Sequence, residues 1–73
     1  MPVQIVKSAI AGVIAQVAVV EGERVSRDQA VIMIEIMKME IAAESPADGC
    51  VQSLFIKLGD TIEEGQPLFS LET

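Results

Sequence analysis

The 73 residues contain no histidine, no tryptophan and no tyrosine, and a single cysteine. Without an imidazole there is no Ser-His-Asp triad, no histidine base and no histidine metal ligand. One thiol, Cys50, can form no internal disulfide and builds no thiolate metal site by itself. The cytoplasm, or another reducing compartment such as a mitochondrial matrix, suits that cysteine usage. Bases are scarce too, 5 against 11 acids, for a formal charge of −6. Nucleic acid and anionic membrane surfaces both ask for a basic footprint, so neither is an expected partner. Long apolar runs are also missing. Residues 5–20 are the most apolar stretch, but Lys7, Ser8, Gly12 and Gln16 interrupt it and it is too short for a spanning helix. Ala9-Ile10-Ala11 has the small-residue form of a signal-cleavage site, yet lies too near Met1 to follow a charged and an apolar segment.

What remains is a chain that is 51% hydrophobic and rich in β-branched residues. Its length fits one small domain, residues 1–73. Domains of this size bury only about 60% of their unfolded surface, so a high apolar content is needed.

The chain says nearly the same thing twice. Shifting residues 11–35 by 37 positions lays Gly12 on Gly49, Gly22 on Gly59, Gln29 on Gln66 and Glu35 on Glu72. Apolar positions follow, among them Val13/Cys50, Ile14/Val51, Val25/Ile62 and Val31/Leu68. Two copies, 11–35 and 48–72, are too few for a solenoid. They suit a closed unit in which each half supplies one layer. The connection between them holds Lys38, which is therefore expected near a pseudo-two-fold axis, at one end.

Local pattern places strands at 3–7, 12–20, 30–36, 39–44, 50–57 and 67–72, with Val13, Val17 and Val19 on one alternation. Turns are expected at Glu21-Gly22-Glu23, Ser26 to Gln29, Ser45 to Gly49, Leu58-Gly59-Asp60 and Glu63 to Gln66. Asp28 stands where the second copy has Gly65. Asp tolerates the left-handed region better than most residues, so the exchange tests the repeat. Residues 30–44 have helical spacing and good helix formers. The repeat opposes a helix, because 31–35 align with Leu68 to Glu72 behind Pro67. The reading is strand, tight turn at Met37-Lys38, strand, although the turn lacks the usual Asn-Gly or Asp-Gly.

Glu35-Ile36-Met37-Lys38-Met39-Glu40, lodged between two matching halves, resembles the attachment motif of the biotinyl (biotin-attachment) domain family, which centres on Met-Lys-Met. The likeness runs from Ser8-Ala9-Ile10-Ala11-Gly12 through Gly22-Glu23-Arg24-Val25 to the stretch Gly59 to Leu68. It implies an all-β flattened barrel-sandwich of two small antiparallel sheets, with Lys38 on a protruding hairpin at about 35–40. It further implies biotin joined covalently to Lys38 by a biotin-protein ligase that reads Met37, Met39, Glu35, Ile36 and Glu40. The implied role is a non-catalytic carboxyl carrier, a swinging arm between a biotin carboxylase and a carboxyltransferase. Ile36 departs from the family, which usually has Ala or Ser there, and Ala9 stands where Pro is common. A lipoyl domain, with Asp-Lys-Ala in place of Met-Lys-Met, is the nearest alternative. An unmodified barrel-sandwich used only for protein contacts is another.

Judged by chemistry alone, Lys38 offers a primary amine on a flexible stem, able to form an amide. A Schiff-base role would need an apolar or cationic setting, and Glu35 and Glu40 supply neither. Those two carboxylates read as a solvated face. Met33 reads as core filling, and Cys50 as a small buried hydrophobe.

Overall fold

In the computed structural model, which describes residues 2–73, eight strands alternate with tight turns. They are β1 (Val3–Lys7), β2 (Gly12–Val17), β3 (Arg24–Val25), β4 (Ala30–Ile36), β5 (Met39–Glu44), β6 (Gly49–Leu54), β7 (Thr61–Ile62) and β8 (Pro67–Glu72). They build two four-stranded antiparallel sheets, in the orders β1-β8-β6-β3 and β5-β4-β2-β7. The all-β sandwich read from the sequence is the fold observed. No helix among the described residues is long and apolar enough to cross a membrane.

Residues 30–44 form a hairpin despite their helical composition. β4 lies inside its sheet and buries Val31, Ile32 and Ile34 almost completely. β-Branched side chains fit that pleated, enclosed surface, and tertiary pairing overrides the local helix propensity.

The two halves interleave, which corrects the expectation of one layer per half. Shifting by 37 carries β1 onto β5, β2 onto β6, β3 onto β7 and β4 onto β8. Each half therefore gives the two central strands of one sheet and the two outer strands of the other. The duplication also reaches further back than residue 11, to β1 and β5. Ser8 and Ser45 are equivalent, both are buried, and both hydroxyls donate to the carbonyl two residues on, Ile10 and Ala47.

Bulges repeat as well. The β2–β4 ladder slips between Ile14 and Gln16, and the β6–β8 ladder slips at the equivalent place, between Val51 and Ser53. A bulge adds one residue and so exchanges the two faces of everything beyond it. Val17 and Val19 accordingly point inward, but Val13 does not. Ile14 takes the core position instead, 1% exposed against 40% for Val13. For the same reason Cys50, the partner of Val13 in the repeat, is half-buried rather than a core residue, its thiol donating to the Gly22 carbonyl. Met33 lies between inward-facing Ile32 and Ile34 and faces outward, half-buried, so it does not fill the core.

β2 and β6 end earlier than the apolar pattern suggests, at Val17 and Leu54. Beyond them a single further bond forms in each copy, from Ala18 N–H to the Val31 carbonyl and from Phe55 N–H to Leu68. The chain then leaves the ladder to cross to the other sheet, anchored by buried Val19 or Ile56. Asp28 and Gly65 both have positive φ, 70° and 86°, so the substituted turn position keeps its conformation. Relieving that position gives a first prediction. Asp28→Gly should raise stability by up to about 1 kcal/mol in a denaturant melt, the strain a left-handed non-glycine residue carries.

Gly12 and Gly49 mark close approaches of a different kind. A Cβ at Gly12 would lie 2.7 Å from the Glu35 carbonyl oxygen, and one at Gly49 would lie 2.6 Å from that of Glu72. Glycine inside a strand is the residue that allows such contact.

Candidate functional site

β4 and β5 form the hairpin, with Glu35 opposite Glu40 and Ile36 opposite Met39. Met37 and Lys38 are its two-residue loop, and both have positive φ, 52° and 66°. Positive φ at both loop positions is what a type I′ turn requires, because its twist matches that of the flanking strands. Neither Met nor Lys prefers that region, and each costs about 1–2 kcal/mol there. The strain is held by the β4–β5 ladder below, and such strain gathers at functional sites.

Lys38 is exposed at the tip. Met37 is 89% exposed and Met39 63%, so the thioethers fill no core and are open to a partner. Ile36 behaves differently. It is half-buried, with its Cγ1 directly over Gly12. The bulk that departs from the biotinyl motif thus lies against β2 rather than beside Lys38. Glu35 and Glu40 are exposed and directly opposed across the ladder, a like-charge pairing that disfavours the hairpin. The six residues named from the sequence do lie together at one tip, but Ile36 faces the core side.

Lys38 is away from the pseudo-two-fold axis, contrary to expectation. The symmetry exchanges the β4–β5 hairpin with the β8–β1 pair, where the chain ends meet and Thr73 N–H donates to the Pro2 carbonyl at 3.1 Å. Gly12, next to the hairpin base, pairs with Ile62, while Gly49 and Val25 pair beside Glu72. The hairpin tip and the paired termini therefore occupy opposite ends of a body 37 Å long.

Sequence reasoning missed Gly12 as a support of this site. Its signal was present as the identity Gly12/Gly49 inside two strands, where glycine otherwise weakens the element. Among the described residues no cluster of three His, Cys, Asp or Glu side chains is placed to hold a metal ion. The chemistry available at the tip is that of a primary amine between two soft thioethers.

The strain at the loop gives a second prediction. Met37→Asn with Lys38→Gly installs the residues that adopt type I′ turns readily. The double variant should be more stable in a denaturant titration by at most roughly 2–4 kcal/mol, the strain of the two residues added, and it should lose every function that depends on the amine.

Residues 1–71 match the family model described as biotin-requiring enzyme, of the biotin/lipoyl type. The chain is 39% identical over 67 residues to the biotin carboxyl carrier protein of acetyl-CoA carboxylase from Solanum lycopersicum, covering 92% of this chain and 96% of that relative. It is 34% identical over 61 residues to the dihydrolipoyllysine-residue acetyltransferase component of the pyruvate dehydrogenase complex from Pseudomonas aeruginosa, covering 84% of this chain and 11% of that one. The crystal structure of Kluyveromyces lactis urea carboxylase contains a similar fold, with TM-score 0.91 and 25% identity over 99% of this chain and 6% of that chain.

Proposed function

The chain belongs to the biotin/lipoyl attachment family of biotin-requiring enzymes, and from that premise we propose that it is a biotin carboxyl carrier domain modified on Lys38. The observation that carries the reading is Met37-Lys38-Met39 at a strained hairpin tip, with both thioethers exposed. Attachment is an amide bond. The Lys38 amine, once it has lost a proton, attacks the biotin carboxyl that a biotin-protein ligase has activated, and the activating group leaves. When bound, biotin supplies the ureido nitrogen that carries a carboxyl group.

The chain's own residues present and position. The four-carbon stem of Lys38 gives reach, and the two-residue loop leaves little slack at its base. Met37 and Met39 give a ligase an adaptable apolar surface on either side of the amine. Glu35 and Glu40 mark the same tip with negative charge, and Ile36 steadies it from beneath. The domain catalyses nothing itself. It keeps its cargo at high effective concentration for a biotin carboxylase and a carboxyltransferase, because all three act within reach of one tether. Cys50, half-buried and unpaired, is compatible with the cytoplasm or a mitochondrial matrix.

The Met-Lys-Met sequence favours biotin over lipoate, whose domains carry Asp-Lys-Ala. Co-expression with a biotin-protein ligase and excess biotin, followed by intact mass measurement, should show one biotin adduct. A lipoyl adduct in cells that hold both ligases, or no adduct at all, overturns the proposal.

A further inference from the structure

Methionine is unevenly placed in this chain. Of the 4 methionines, Met33, Met37 and Met39 fall within the β4–β5 hairpin, and residues 48–73 hold none. The repeat has Ser70 where Met33 stands and Pro2 where Met39 stands, so the same strand pair is built elsewhere without thioethers. Surroundings then separate the three. Met33 is half-buried on the outer face of β4, whereas Met37 and Met39 are 89% and 63% exposed. Met37 is the most exposed large apolar side chain among the described residues. The two tip sulfurs flank Lys38 and neither fills the core.

A thioether is an apolar side chain that a mild oxidant makes polar and that enzymes can restore. With hydrogen peroxide, a sulfur lone pair attacks one peroxide oxygen, the O–O bond breaks and the sulfur–oxygen bond of a sulfoxide forms. The departing hydroxide takes the proton from the transferred oxygen and leaves as water. Sulfur loses two electrons and the peroxide gains them. The oxidant must reach sulfur from solvent, which Met37 and Met39 allow and Met33 hinders. Hydrogen peroxide is uncharged, so exposed Glu35 and Glu40 do not repel it.

We propose that Met37 and Met39 form a reversible oxidation site for hydrogen peroxide, and that their sulfoxides turn away the biotin-protein ligase. The inference rests on the carrier reading above. A ligase must bring its activated carboxyl to the Lys38 nitrogen itself, one residue from each sulfur. An apolar surface that fits two thioethers leaves a sulfoxide oxygen without its water and without a partner, which disfavours the complex. Biotin already attached extends the arm by the length of its own side chain, so later chemistry at the ureido ring lies further from the sulfurs. Oxidation thus acts on loading. The body of the domain is spared, because neither side chain packs inside it.

The test treats the full chain with hydrogen peroxide, removes the oxidant, and measures kcat/KM for loading by the ligase beside peptide-resolved mass spectrometry. Met37 and Met39 should each gain one oxygen well before Met33 does. Loading should slow about tenfold or more, the scale of losing one interface anchor. Methionine sulfoxide reductases, one for each sulfur epimer, should restore it. The melting temperature should move by no more than about 4 °C; a larger fall places the effect in the fold and overturns the proposal. Met37→Leu plus Met39→Leu keeps Met1, Met33 and Cys50, the other sulfurs. Whatever that variant's own rate, peroxide should leave it unchanged. Met33→Leu gives an independent arm and should stay as sensitive to peroxide as wild type. Treated wild-type protein that loads at the untreated rate overturns the proposal. So does slowing that persists in the leucine pair or vanishes in Met33→Leu, because another sulfur would then carry it. Oxidation of Met33 in step with the tip overturns it too. Untreated protein that takes no biotin strikes the carrier reading instead, while the order of oxidation is still read from the peptide masses.

Discussion

Lys38→Arg is expected to carry no biotin at all under conditions that give the wild-type chain a single adduct. Guanidinium keeps the positive charge and nearly the length of the stem, but it stays protonated and offers no nucleophilic amine. The loop geometry is preserved, because arginine meets the same left-handed φ of 66° that Lys38 does. Stability should therefore change by no more than about 0.5 kcal/mol, the usual range for surface substitutions. Loss of the adduct would then reflect chemistry and not unfolding. Lys7 and Lys57 serve as internal controls, since both are exposed yet neither stands between methionines. An adduct that persists in Lys38→Arg would move the attachment point to one of them and would end the assignment of the hairpin.

Gly12→Ala should be the most damaging single methyl addition near the site. The new Cβ would meet the Glu35 carbonyl oxygen at 2.7 Å, Ile34 Cγ2 at 2.7 Å and Ile36 Cγ1 at 2.8 Å. Backbone oxygen cannot step aside as a side-chain end can. β2 must separate from β4, and the ladder beneath Lys38 is the ladder that would open. Overpacking of this kind costs about 1–3 kcal/mol. A loss of that size lowers the melting temperature by roughly 5–20 °C for a domain of this length. Gly22→Ala separates two mechanisms. Gly22 has a φ of 92° with nothing within 4 Å of its Cβ position, so only conformational strain of about 1–2 kcal/mol opposes that change. The two variants also differ in function. Gly12→Ala should slow biotin loading measured well below its melting temperature, since it displaces the base of the hairpin. Gly22→Ala should load at the wild-type rate. Equal loading in both would show that the hairpin does not depend on this contact.

Much of the site is legible in the sequence. The identity of Glu35 with Glu72 around the repeat argued for a strand where propensity alone argued for a helix. The missing Asn-Gly was real evidence against a tight turn, and the structure answers it with two strained residues rather than a longer loop. The exchange of Asp28 for Gly65 correctly marked a left-handed turn position. Each of these rests on interactions within a few residues, or on comparing two copies of the same local pattern. Such information is written along the chain.

Other features depend on which strands meet, and the sequence does not contain them in local form. Whether Val13 or Ile14 faces the core depends on a bulge after Ile14, and a bulge exists only against the partner strand β4. Cys50 and Met33 are half-buried rather than core residues because the face each takes is set by pairing with a partner strand, not by local alternation. The equivalence of Ser8 and Ser45 was hidden because β1 and β5 share few residue types. It emerges only from their matching places at the outer edges of the two sheets. The position of Lys38 away from the symmetry axis follows from interleaving, which no count of repeats reveals. By itself the sequence determined a duplicated all-β chain with one distinctive lysine in a two-residue turn, because turn and strand preferences are local. Only the tertiary structure decided how the halves interlock, which faces point inward and which end Lys38 occupies, because pairing between distant strands sets all three.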